Sequence, residues 1–188
     1  MKVIIPPLIE PVSLAEVKTQ IGIQPTDTEH DALISRRIKE AREWAEAYTG
    51  RAFITQTREI RWDGFTYEHE LPSALTVVSV KYIDESGIEQ TLDSGSYFLD
   101  TYSFIPALIG GWGLLWPSSR LEKNAIRIQY TAGYGPLSTD VPVLKKEAII
   151  LLVGHWMNFQ PQSESGTSIS RVPYAVRDML DTYKINFL

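Results

Sequence analysis

At 188 residues, with 44% hydrophobic and 22% charged side chains, the chain is long enough to bury the core of one domain, or of one domain carrying an insertion. It contains no cysteine, which excludes disulfides and thiolate metal sites, and no apolar run near the roughly 20 residues of a membrane span. The net charge of −5 is uneven: residues 58–105 hold nine acids and three bases, so that stretch is −6 and the remainder +1. A tight DNA binder carries a basic face, because neutralising phosphates supplies most of its affinity, and this chain does not read as one.

The opening MKVIIPPLIEP has one Lys and then prolines, and it is not read as a secretory leader. Ser13-Leu14-Ala15-Glu16 predicts a capping box, with Leu14, Val17 and Ile21 at helical spacing and Gly22 as the stop. A second helix follows, capped by Asp27 or Thr28. Its apolar stripe is Ile34, Ile38, Ala41, Ala45 and Tyr48, and Gly50 ends it. Arg36–Glu40, Lys39–Glu43 and Arg42–Glu46 read as i,i+4 ion pairs on its solvated side.

From Ile54 the period changes to two. Residues 55–62, 75–83, 97–101 and 125–131 read as strands, and Asp84-Glu85-Ser86-Gly87 as a hairpin turn into 88–92. Val78, Val80 and Tyr82 are expected on one face, and Ile126, Ile128 and Tyr130 on one face of the last strand. That makes four or five antiparallel strands, a small sheet or barrel-like unit. Ile109–Pro117 (IGGWGLLWP) is irregular, either a cap on the sheet or a contact surface.

The last long helix starts near Asp140 and Pro142. Ala148–Val153 (AIILLV) is apolar all round, so both of its sides require cover, from this chain or from a neighbouring copy. Gly154 is read as allowing another backbone close. Residues 160–170 read as a flexible loop, and Pro173 starts a short helix with the stripe Val176, Met179, Leu180 and Tyr183. The fold class is therefore α+β: a small helical bundle (1–53 and 136–159) with an inserted antiparallel β-rich unit (54–135) and a C-terminal loop and docking segment (160–188).

The chemistry-bearing residues form no recognisable catalytic or cofactor motif. His30, His69 and His155 fall in three different elements, and no metal site is expected from them. Gly110-Gly111-Trp112-Gly113 has no Lys-Ser/Thr after it, so it is not a phosphate cradle. Glu68 and Glu70 share a strand face. They suit a solvated sheet edge, or, with His69, a hydrolase site. No catalytic residue and no cofactor is assigned.

Three stretches together carry a family resemblance: Val12–Lys18 (VSLAEVK), then Ile38–Phe53 (IKEAREWAEAYTGRAF) with Gln56-Thr57, and later Tyr130–Gly135 (YTAGYG) followed by Val141-Pro142 and the apolar helix. In this order they resemble the head–tail connector, or adaptor, proteins of tailed bacteriophages and prophages. The resemblance implies a non-enzymatic virion protein, present in the host cytoplasm during assembly. It implies a ring beneath the portal, expected to be a dodecamer, that extends the DNA channel without sequence-specific binding. The ring would offer a surface to tail-completion or stopper proteins, with no membrane involved. By the same resemblance Tyr174, Val176, Met179, Leu180, Tyr183 and Phe187 are expected to contact the portal. An acidic lumen would let phosphates slide, so Glu68, Glu70, Asp84, Glu85, Glu89 and Asp93 are expected to face the channel. The alternative is a non-viral α+β protein-interaction module.

Overall fold

The computed structural model describes residues 1–111, 115–158 and 172–185. Among these it contains eight strands and four helices, and the contacts sort them into two units. Residues 1–8 and 55–134 form a strand unit, and residues 9–54 with the described residues from 135 on form a helical unit. The first eight residues thus group with the strands, where the sequence placed them with the helices. None of the helices is long and apolar enough to cross a membrane, among the described residues.

In the strand unit, β1 (Lys2–Ile5), β2 (Gln56–Trp62), β4 (Ala74–Ile83), β5 (Glu89–Thr91) and β8 (Ile126–Ala132) make one antiparallel sheet in the order β1-β2-β8-β4-β5. A second sheet of three strands runs β3 (Glu68–Glu70), β7 (Ala107–Gly110), β6 (Tyr97–Asp100). Two sheets replace the single one expected. The missed strands β1 and β7 are four residues each, flanked by prolines or glycines that mask a period of two.

The alternation in β8 is as expected: Ile126, Ile128 and Tyr130 are fully buried, and Arg127 and Gln129 face the other way. In β4 it is not. The register slips between Val77 and Ser79, so Val77 opposite Tyr130 and Val80 opposite Ile128 point inward while Val78 bulges outward and is exposed. The β4–β5 turn forms as predicted. The Asp84 carboxylate accepts from the Ser86 and Ile88 amides at 2.9 Å each, and Gly87 takes a φ of 83°.

In the helical unit, α1 (Leu14–Ile21) carries the expected capping box. The Glu16 amide donates to Ser13 Oγ at 3.2 Å and the Ser13 amide to Glu16 Oε2 at 2.6 Å. Helix α2 (Asp31–Thr49) begins at His30 with no side-chain cap, contrary to expectation. Asp27 instead takes the Glu29 amide at 3.0 Å in a turn, and buried Lys18 pulls the loop in, donating to the Asp27 carbonyl at 2.6 Å and pairing with Asp31. A second correction concerns Arg42 and Glu46, which are buried rather than solvated. Arg42 donates to Glu10 at 2.7 Å and to Glu46 at 3.2 Å, and Glu46 also accepts the Phe53 amide at 2.7 Å.

Helix α3 (Val143–Asn158) is covered by its own chain: α1, α2 and α4 (Tyr174–Asp181) pack on it, and Ala148, Ile149, Leu152 and Val153 are fully buried. Gly154 meets a side chain, Ile21, rather than a backbone, with a Cβ there falling 3.3 Å from Ile21 Cγ2. Gly135 has a harder reason to be glycine. A Cβ would lie 2.2 Å from Asp140 Oδ2, and that carboxylate accepts the Leu137 amide that shapes the entry to α3.

Candidate functional site

The residues singled out for a hydrolase do not converge. Strand alternation sends Glu68 and Glu70 to the exposed side of β3 and His69 to the buried side. There His69 lies among rings, 4.7 Å from Trp62, 6.0 Å from Phe65 and 5.9 Å from Trp116, and Phe65 stacks on Trp116 at 4.6 Å. Trp116 thus caps the core, the first of the two readings of that stretch; Trp112 lies outside the described residues.

Burial lowers the His69 imidazole to about 4. The native ring stays neutral where the unfolded ring, near 6.5, takes a proton, so acid favours unfolding between pH 6.5 and 4. The expected loss is at most about 2 kcal/mol, allowing for solvent screening. His69→Phe should flatten this slope in unfolding midpoints measured from pH 7 to 4. An equally steep slope in the variant would refute it.

The acidic residues divide by what they already hold. Asp84 ties the β4–β5 turn, and Asp93 accepts the Gly95 amide at 2.8 Å. Glu89 is shared by Lys81 at 3.1 Å and Arg127. Only Glu68, Glu70 and Glu85 of the six are exposed with carboxylates that make no hydrogen bond or ion pair among the described residues. Asp27, Glu29 and His30 bring potential ligand atoms within 4.8 Å of one another, but Asp27 and Glu29 are exposed and the loop is already held by Lys18.

The five-stranded sheet presents a polar face that no motif announced. Register places Arg61 beside Arg127 and Arg127 beside Lys81, three cations in a row across β2, β8 and β4. One step along, Glu59 lies beside Gln129 and accepts from it at 2.9 Å. Burial alone would raise the Glu59 carboxyl, but hydrogen bonds from Gln129 and Arg61 outweigh it and hold it below its ordinary range. The row floors a cavity of about 300 Å³ whose charged lining is Arg61, Lys81, Lys123, Arg127, Glu89 and Glu122.

The C-terminal helix is seated on its own unit. Val176 and Leu180 are fully buried, Met179 and Tyr183 half-buried, and only Tyr174 stands out at 77% exposed; Phe187 lies outside the described residues, as do residues 160–170. Tyr48 donates to Asp181 at 2.6 Å, Arg51 Nε to the Tyr183 carbonyl at 2.8 Å, and the Ile185 amide to the Thr49 carbonyl at 2.9 Å. The expected docking stripe is therefore already docked. Beneath it Lys145 is wholly buried, its Nζ 3.9 Å from the Tyr183 ring and 4.7 Å from that of Phe53.

Three comparisons bear on this arrangement. The family model described as phage gp6-like head-tail connector protein matches residues 11–105. No curated protein matches. Among solved structures, a chain from the neck of an empty GTA particle computed with C6 symmetry aligns at TM-score 0.77 and 17% identity, over 100% of this chain and 98% of that one. A chain from the virion of a native gene transfer agent particle aligns at 0.73 and 18%, over 98% and 97%. A chain from the neck of a native GTA particle computed with C12 symmetry aligns at 0.73 and 18%, over 100% and 98%.

Proposed function

Because this chain belongs to the phage gp6-like head-tail connector family, a family of structural proteins, we propose that it is a ring subunit of the head–tail junction that seats beneath the portal. In this reading the ring continues the DNA channel and presents its far surface to a tail-completion or stopper protein. The observation that carries it is the family match over residues 11–105, joined to a fold shared over nearly the whole chain with neck proteins of phage-like particles. The C12 and C6 symmetries belong to those particles, and a twelvefold ring is the proposal they support here.

The C-terminal segment remains the proposed portal contact, with its residues reassigned by burial. Tyr174 leads it with Met179 at its side. Val176 and Leu180 act as the ballast that fixes the helix, since exposing them would uncover this chain's own core. A large, rigid, exposed aromatic is what a protein interface uses as an anchor. A lining role in the channel falls to Glu85, whose exposed carboxylate is not engaged among the described residues.

The test is direct. Purified chain mixed with portal should give a stable complex by size exclusion and ring-shaped particles by negative-stain imaging. Tyr174→Ala should weaken that complex about tenfold, or about 1.4 kcal/mol, with an unchanged unfolding midpoint. A chain that ignores portal at every concentration would overturn the function. A Tyr174→Ala protein that binds as tightly as the parent would overturn only the contact.

A further inference from the structure

We propose that the cation-floored cavity on the five-stranded sheet is the socket for the Glu68–Glu70 pair of a second copy, and that this contact joins neighbouring subunits head to tail in the ring. The inference rests on the ring reading above and deepens it by naming the boundary.

The charges decide the occupant. Of the four cations lining the cavity, Arg61 is answered by Glu59 at 2.8 Å, and Lys81 and Arg127 share the single carboxylate of Glu89. Lys123 has no partner among the described residues. Glu122, the other lining acid, is answered by Arg120 at 3.3 Å, outside the lining. The cavity is therefore left with two uncompensated positive charges. On β3, Glu68 and Glu70 are exposed on one face, make no ion pair among the described residues, and carry two negative charges.

They stand two residues apart on one face of a strand, about 6.6 Å, a spacing that lets both carboxylates enter one cavity. Within one chain no ion pair joins Glu68 or Glu70 to the lining among the described residues. Two different, mutually complementary patches on the same chain are what a head-to-tail interface requires, and such an interface closes into a ring when the rotation per subunit allows. Complementary charge also fixes register and speeds encounter. A nucleic acid fits the socket less well. Backbone binding draws on many cations set along several phosphates, and here the excess is two, with acids interspersed.

Charge reversal tests the assignment. Glu68→Lys/Glu70→Lys and Lys81→Glu/Lys123→Glu change exposed or half-exposed side chains, and circular dichroism would verify that both fold. Ring yield is read by native mass spectrometry and negative-stain imaging, with and without portal. Each double variant alone should lose at least tenfold in ring yield. The quadruple variant, with both patches reversed, should regain rings. An equimolar mixture of the two doubles should also assemble, in alternation, because each then meets the complementary patch of the other.

Double variants that assemble like the parent would overturn the proposal, as would a quadruple variant and a mixture that both stay apart. If Lys81→Glu/Lys123→Glu kept its rings but lost retention of duplex DNA in a gel shift, the cavity would belong to nucleic acid and the proposal would fall. A parent chain that forms no ring under any condition sinks the ring reading itself, a result visible before any variant is made.

Discussion

Arg42→Ala is expected to destabilise the helical unit by roughly 3–5 kcal/mol, the cost of removing one partner from a buried ionic network. Arg42 is 4% exposed, and its guanidinium is shared between Glu10, before α1, and Glu46, one turn further along α2. Without it, the buried Glu46 and the half-buried Glu10 lose the cation they share. Glu46 cannot swing out to water without also dropping the Phe53 amide, which it accepts at 2.7 Å. The network therefore ties three segments, and its loss should show as a lower urea midpoint with an unchanged slope. Adding Glu46→Gln to Arg42→Ala should recover part of the loss, since the stranded charge is then gone. A single variant within about 1 kcal/mol of the parent would show that the pair is solvated after all.

The second large effect is a dependence on pH in the alkaline direction. Burial, and next the neighbouring charge of Arg51, pull the Lys145 ammonium down to about 7, against the opposing carboxylate of Glu46. The native chain then releases that proton near pH 7 and the unfolded chain only near 10.5. Between these values the unfolded state binds more protons, so stability rises with pH. A gain of roughly 3 kcal/mol between pH 7 and 9.5 is expected, after discounting for screening. The unfolded lysine closes the window near 10.5, and Tyr48 titrates above the measured range. Its hydrogen bond to Asp181 raises the phenol above its ordinary value, so that bond's contribution fades only at higher pH. In Lys145→Met the rise should vanish, and at pH 6.5 the variant should be at least as stable as the parent. A variant that keeps the parent's slope would assign the effect to another group.

Much of the local structure was legible because its cause is local. The Ser13–Glu16 box, the Asp84–Gly87 turn and the alternation of Ile126, Ile128 and Tyr130 each depend on residues a few positions apart. What was not legible depends on distant partners. An Arg–Glu pair at i,i+4 looks the same wet or dry, and Arg42–Glu46 is dry because Glu10 and the Phe53 backbone close over it. The stripe on α4 announced that something must cover Val176 and Leu180, but not that α2 and α3 of the same chain do so. The acids of the middle segment read as a field of charge, whereas Asp84 and Asp93 are spent on turn amides. The cation row at Arg61, Arg127 and Lys81 exists only through strand register, so three unremarkable positions become one feature once β8 lies between β2 and β4.

The grouping of residues 1–8 with the strands has a consequence for how the polypeptide comes into being. On a ribosome, Lys2–Ile5 emerges well before its pairing partner β2, which follows only after both α1 and α2 have been made. That strand must wait through the interval with its backbone unpaired, and then close a long loop to reach β2. Cutting out the helices would strand that opening segment, and trimming the segment would bare the flank of β2, so neither unit can be had by simple truncation.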